Sequence, residues 1–260
     1  RGELASENFL VESCEQSASS LVSALLRVQR KVKIDLIHSH GLTSAGFAFL
    51  PAFMSRVPHV ITLHDVFREQ QFQGSVGILK KAIARLTLTS AQAVHVVGEG
   101  AAKNTVEFFP ALAATGRNVT LIRNGIVSEG IRESQARNVR AELDLGESHF
   151  LVGFLGRFMS QKGFRFLVDA IQSIVEDRSL GRSPIVVCTG SGGFVREDRE
   201  HIRNRGLDAH FRFLPFTPDV GPLVKGLDVV AIPSLWEAGP LLPMEVLSAG
   251  VPLIGTSCIG

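Results

Sequence analysis

Short apolar runs recur along the chain, each bounded by turn residues and followed by a polar or helix-patterned stretch. In order they are "IDLIHSH" (Ile34 to His40), "HVITLH" (His59 to His64), "AVHVVG" (Ala93 to Gly98) and "VTLIRN" (Val119 to Asn124). A second set follows: "FLVGFLGR" (Phe150 to Arg157), "IVVCTG" (Ile185 to Gly190), "FRFLPF" (Phe211 to Phe216), "VVAIPS" (Val229 to Ser234) and "VPLIGT" (Val251 to Thr256). Unbroken apolar runs of this length read as strands buried on both faces, hence as parallel sheet. The segments between them include "FRFLVDAIQSIVEDR", where Phe164, Leu167, Val168, Ile171, Ile174 and Val175 fall on one helical face. Strand–helix alternation predicts a doubly wound α/β architecture. Ligands of such sheets bind outside the carboxyl ends of the strands.

The alternation breaks once. "NGIVSEGIRESQARNVRAELDLGESH", from Asn124 to His149, is polar and charge-rich and holds no strand-like run. The chain is therefore expected to form two Rossmann-like domains with a cleft between them. The first spans residues 1–130, a linker spans 131–148, and the second domain spans 149–260.

Composition narrows the classes. The 260 residues are 45% hydrophobic and 20% charged, ordinary for a globular chain. The net charge of +2 comes from 27 basic and 25 acidic residues without blocks of one sign, which argues against a nucleic-acid partner. Cys14, Cys188 and Cys258 are scattered and form no C-x-x-C, so neither a disulfide framework nor a zinc site is expected. A reducing, cytoplasmic setting follows as the expectation. No apolar run is long enough to span a bilayer. The start, "RGELASENFLVESCEQ", is acidic and does not read as a signal peptide. The chain lacks an initiator Met and stops at "GTSCIG" directly after a strand-like run, so it reads as a fragment cut at both ends.

Candidate chemistry gathers at strand ends. In "GRFMSQKG", Arg157 and Lys162 lie in the turn between a strand and a helix. Two cations beside helix N-terminal amides suit a phosphate or diphosphate, although two solvated loop cations would look the same. In "TGSGGF", Gly190, Ser191, Gly192 and Gly193 permit a ligand to approach the backbone, or simply make a tight turn. Neither the dinucleotide fingerprint nor a phosphate-binding P-loop is present.

"PSLWEAGPLLPMEVLSAGVP" holds Glu237 and Glu245, the only charged residues from Val229 onward. Pro243 suits a first helical turn and Gly250 a helix end, which puts Glu245 at the start of a short helix. There it either complements the helix dipole or meets a ligand. Glu237, in the preceding loop, suits ligand hydroxyls rather than phosphate. A nucleoside diphosphate sugar offers both hydroxyls and phosphates.

In the first half, His38, His40 and His64 stand at strand carboxyl ends. Metal binding, polar ligand contacts and structural hydrogen bonds are all open readings of such a trio. Asp65 either orients His64 or caps the next segment. No D-x-D occurs, which removes a common carboxylate clamp for a metal–diphosphate pair, and G-x-S-x-G is absent.

Together these motifs resemble a family 4-type (group 1) retaining glycosyltransferase of GT-B fold, with both domains incomplete. The resemblance rests on "GRFMSQKGF", "TGSGG", the E-x7-E motif in "PSLWEAGPLLPMEVLSAGVPLIGT", "IDLIHSHG" with "ITLHD", and "LIRNGI". It runs in order over nearly the whole chain. It implies that Arg157 and Lys162, with Gly156 beside them, hold the diphosphate of a UDP- or GDP-sugar donor. It implies that Glu237 binds sugar hydroxyls, Glu245 binds ribose hydroxyls, and amides near Gly239 and Leu241 contact phosphate. Gly190 and Gly192 would border the donor. His64 would lie near the reacting carbon, and His40 and Asn124 would line the cleft.

The implied reaction transfers a hexosyl group with retention, without a metal and without a cofactor. The acceptor is a saccharide, a lipid or another hydroxyl compound, and association with a membrane surface stays open. Two departures stand out. Gly239 and Pro240 replace the more usual Phe-Gly, and Pro240 has no N–H to offer. "HVVGEG" replaces a serine-containing turn. A non-catalytic nucleotide-sugar-binding module and a GT-B sugar-nucleotide epimerase are the alternative functions.

Overall fold

The computed structural model describes residues 13–15, 17–114, 119–177 and 181–259. The chain divides into two compact units, Arg1–Ile122 and Arg123–Gly260. The first contains α1 (Ala18–Lys31), β1 (Ile37–His40), α2 (Leu42–Ser55), β2 (His59–Leu63), α3 (Gly74–Ser90), β3 (Ala93–Val96), α4 (Glu99–Phe108), α5 (Ala111–Ala114) and β4 (Val119–Leu121). Its four strands pair in parallel in the order β1-β2-β3-β4.

The second unit contains α6 (Ser128–Glu133), α7 (Val139–Glu142), β5 (His149–Leu155), α8 (Phe164–Asp177), β6 (Ser183–Thr189), α9 (Val195–Asn204), β7 (Phe211–Leu214), α10 (Gly221–Lys225), β8 (Val229–Ile232), α11 (Leu242–Ser248) and β9 (Leu253–Gly255). Its sheet is also parallel, in the order β7-β6-β5-β8-β9. Both sheets carry helices between strands, the two-domain GT-B plan.

That order positions the site of the second unit. From β5 the chain winds outward through β6 and β7, then returns to the other side of β5 as β8. The winding direction therefore reverses between β5 and β8. Loops leaving the carboxyl ends of those two strands diverge and leave a crevice.

All nine apolar runs form strands, most of them shorter than the runs themselves; β6 alone is longer, extending beyond its run at the start. Burial on both faces holds for β5. Val152 and Phe154 enter one core with Phe158, Phe164 and Phe211, while Leu151 and Leu155 enter another with Ile185, Val187 and Val230. It does not hold for β1, where Ile37 and Ser39 are buried and His38 and His40 are exposed. Alternation there reflects one covered face at the end of the sheet order; β2 beside it is buried on both faces. The helical face read from α8 is real: Phe164, Leu167, Val168 and Ile171 are all buried.

The segment expected as a linker, 131–148, is instead part of the second unit. It includes the end of α6 and all of α7, and polar contacts tie it down. Lys225 Nζ donates to the carbonyls of Arg132 and Ser134, each at 2.6 Å. Arg140 reaches Asp228 at 2.6 Å, and the same carboxylate oxygen accepts from the Leu151 N–H at 2.7 Å. A polar composition without a strand-like run marked this segment as a connection between sheets, but its polar groups fasten it to the second one.

Candidate active site

The loop after β5 is built around one buried ring. Phe158 is 1% exposed and packs on Phe154 and Phe164, with ring centroids 5.4 and 5.1 Å away. Anchoring Phe158 leaves its neighbour Arg157 exposed at the crevice. A single turn, Ser160–Lys162, follows and ends at Gly163, whose φ of 65° is left-handed. A Cβ at Gly163 would strike the carbonyl oxygen of Pro233, so only glycine admits this close approach.

Two more bonds join this loop to the one after β8. Leu235 N–H donates to the Gln161 carbonyl at 2.8 Å, and Gln161 Nε2 donates to the Trp236 carbonyl at 2.9 Å.

This docking brings Lys162 to Glu237. Lys162 Nζ lies 2.5 Å from Glu237 Oε1, and Ser234 Oγ donates to the same oxygen at 2.6 Å. Glu237 is only 8% exposed, and its backbone N–H donates to the Ile259 carbonyl at 2.8 Å. Sequence alone matched Glu237 to ligand hydroxyls beside the cationic corner; in the structure its carboxylate also pairs with that corner and neutralises one of its two charges. Arg157 makes no ion pair among the described residues, so it is the guanidinium left for an anion.

The crevice has a volume of about 270 Å³. Gly156, Arg157, Lys162, Glu237 and Leu241 all line it, together with Ser234 and Pro240. Side-chain caps are missing at the start of α11, and the N–H groups of Leu241 and Leu242 make no hydrogen bond to other described residues. Asn124, read from the sequence as a cleft residue, donates through Nδ2 to the Gly239 carbonyl at 2.7 Å. It thereby holds the turn at Gly239, whose φ of 77° is left-handed.

Gly190 and Gly192 do not border this crevice. Side chains there would collide with the Gly156 and Phe158 backbone, so both glycines are explained by loop packing on loop. Glu245 lies in the first turn of α11, partly buried and outside the crevice lining. Burial pushes its carboxyl group above the usual range, and it has no hydrogen-bond partner among the described residues.

The sequence reading missed Ser234 and Gln161. Their only signal is a small polar residue at a strand end and an amide in a turn, and neither pattern is distinctive.

In the first unit the histidines form a cluster. His40 Nδ1 and His64 Nε2 are 2.9 Å apart, with stacked rings. His38 Nε2 bonds Thr62 Oγ1 at 2.8 Å, and His95 lies edge-on to His38 at 6.3 Å. Burial first, and neighbouring histidines second, hold His38 and His64 below the ordinary imidazole range. Neutral rings are thus favoured. Among the described residues no group of three or more His, Cys, Asp or Glu is arranged to hold a metal ion. Asp65 Oδ1 accepts from the adjacent Val66 N–H at 2.8 Å, and no hydrogen bond joins it to His64.

The family described as "Glycosyl transferases group 1" matches residues 135–260, and the one described as "Glycosyltransferase Family 4" matches residues 6–129. Between them the two family models match the chain in order, as the two halves of a group 1 glycosyltransferase.

Among its relatives, the Escherichia coli UDP-Gal:alpha-D-GlcNAc-diphosphoundecaprenol alpha-1,3-galactosyltransferase is 25% identical over 92% of this chain and 63% of its own length. The D-inositol 3-phosphate glycosyltransferase of Jonesia denitrificans is 28% identical over 87% of this chain and 56% of its own. The chain thus spans less than two thirds of either. Among solved structures, Anabaena HepE in complex with UDP-glucose aligns with a TM-score of 0.75 at 21% identity, over 92% of this chain and 64% of that one. The sucrose-phosphate synthase of Thermosynechococcus elongatus aligns with a TM-score of 0.74 at 19% identity, over 98% and 65%. These likenesses establish the fold.

Proposed function

We propose that the protein transfers a hexosyl group from a nucleoside diphosphate sugar to an acceptor hydroxyl, with retained configuration and without a metal. The observation that carries this is the crevice at the β5–β8 reversal, where Arg157, Lys162 and Glu237 converge.

In this reading Arg157 and Lys162 hold the diphosphate and stabilise its charge as it departs, the role a metal ion has elsewhere. The free amides of Leu241 and Leu242 add donors on the same side. Glu237, oriented by Ser234 and Lys162, accepts from hydroxyls of the donor sugar. Glu245 accepts from the ribose. Catalysis then rests on positioning and on charge stabilisation. For the first unit the reading keeps the roles that the resemblance implies, with His64 at the reacting carbon and His40 on the acceptor side. The UDP and UDP-glucose complexes of Anabaena HepE support a uridine nucleotide as the first donor to try.

The test is isothermal titration of the full-length protein with UDP- and GDP-sugars, followed by product analysis with and without acceptor. Binding of one donor class and acceptor-dependent transfer are expected. A folded protein that binds no nucleotide sugar would sink the proposal. Conversion of the sugar nucleotide without acceptor would favour an epimerase instead.

A further inference from the structure

One helix of the first unit carries most of its large apolar residues on the outside. The face that α3 buries is small and partly polar, made of Gly77, Ala84, Thr87 and Leu88. Val76, Leu79, Ile83 and Leu86 recur at i, i+3, i+7 and i+10, which is a single stripe along the helix. A helix packed in the usual way turns such a stripe toward the core. Here all four residues are between 47% and 64% exposed, and Ile78 near them is also exposed.

Cations flank the stripe on both sides. At about 100° per residue, Lys80 falls beside Val76 on one edge. Lys81 and Arg85, one turn apart, fall beyond Ile78 on the other. The surroundings agree with that placement. Lys80 and Ile83 border a cavity of about 800 Å³ between α3 and α2, whereas Lys81 and Arg85 border another of about 760 Å³ toward Phe108 and α5. Lys81 Nζ stands 5.7 and 5.3 Å from the ring centroids of Phe72 and Phe108, which holds it at its edge. None of the three cations makes an ion pair among the described residues.

Acidic residues avoid this surface. There is none between Glu69 and Glu99. Of the elements that pack most closely on α3, α2 and α5 carry no charged residue, and the turn Glu69–Phe72 brings one carboxylate to the start of the helix.

An apolar crest with cations at both edges fits a surface that is apolar inside and anionic at its boundary. The crest enters, and the long basic side chains reach back to the charged layer. A second copy of this chain fits less well, because it would set the same cations against one another. No described helix is long and apolar enough to cross a membrane, so α3 would lie in the surface plane.

We infer that α3 docks the protein on an anionic lipid surface, with Val76, Leu79, Ile83 and Leu86 entering the acyl boundary and Lys80, Lys81 and Arg85 meeting the lipid phosphates. The inference stands on the first unit alone and does not depend on the donor reading.

The experiment is flotation of the full-length protein with vesicles of phosphatidylcholine, alone or mixed with phosphatidylglycerol. Partition onto the anionic vesicles is expected to exceed that onto the neutral ones by about a hundredfold, roughly fivefold for each cation, and to fall as salt rises. Replacing Lys80, Lys81 and Arg85 together by Gln removes that preference. Leu79→Ser with Leu86→Ser lowers partition onto both kinds of vesicle by about tenfold or more. These five side chains lie off the buried face of α3, so the far-UV circular dichroism of both variants should match the wild type. Absence of flotation, or equal partition of the wild type onto the two kinds of vesicle, overturns the inference without any variant. So does binding to anionic vesicles that survives both sets of substitutions. A dimer that the Leu79→Ser, Leu86→Ser variant dissociates gives this face to a second copy and overturns it too.

Discussion

Lys162 and Glu237 meet at 2.5 Å although each follows a different strand and 75 residues separate them. The pair is mostly buried, with side chains 23% and 11% exposed. It makes the electrostatics of the crevice asymmetric. Lys162 arrives already matched to a carboxylate, while Arg157 is free. A donor diphosphate would therefore be recruited by Arg157 and then share Lys162 with Glu237.

Glu237→Gln separates binding from transfer. The amide keeps a hydrogen bond to Ser234 but no longer neutralises Lys162. Transfer is expected to fall about a hundredfold as the sugar loses its orientation. UDP affinity should hold or improve, because Lys162 gains free charge. Titration calorimetry beside initial rates checks this, and equal losses in both would contradict the role given to Glu237.

Arg157→Ala removes the unpaired cation. A charge-assisted hydrogen bond contributes about 1.5–3 kcal/mol, so UDP affinity is expected to drop by roughly tenfold to a hundredfold. Affinity for uridine, which has no phosphate, should be unchanged. Arg157→Lys should restore only part of the loss, since an ammonium cannot make the paired contact. If uridine weakens as much as UDP, Arg157 acts through the fold and not through phosphate.

Glu245→Gln is expected to stabilise the free protein and weaken the nucleotide complex. Its carboxyl lies above the usual value of 4.5 because burial disfavours the charge. The folded state therefore binds this proton more readily than the unfolded chain. The resulting stability is present below the unfolded value and is lost as pH rises through the folded one. Glutamine removes that loss at neutral pH. Thermal melts at neutral and acidic pH should converge for the variant, while its affinity for the nucleotide falls by about tenfold. A variant that melts lower at neutral pH would show that Glu245 has a stabilising partner.

Gly163→Ala tests the docking of the two loops. Left-handed backbone and the Pro233 carbonyl both oppose a side chain there. A loss of about 1–3 kcal/mol in urea unfolding is expected, with weaker nucleotide binding as Lys162 moves away from Glu237. Unchanged unfolding would mean that the loops part freely.

Much of this was legible in the residues. Nine apolar runs became nine parallel strands, because a short unbroken apolar stretch between turn residues has few other stable outcomes. The buried face of α8 followed from period alone. Arg157, Lys162 and Glu237 could be named because strand ends are local features.

Their pairing could not be named. It depends on β5 and β8 being neighbours, and strand order arises from which faces are left to cover, not from any one segment's pattern. The glycines at 190 and 192 show the same limit. Their type was visible, but the backbone that presses on them belongs to a loop more than thirty residues earlier in the chain. Asp65, too, had two partners open to it in sequence, and only the fold turned its carboxylate to the Val66 amide. Periodicity and turn chemistry act within a few residues and decide the elements. Close approach between loops acts across the sheet, and it decided which charge in this crevice is spent and which is free.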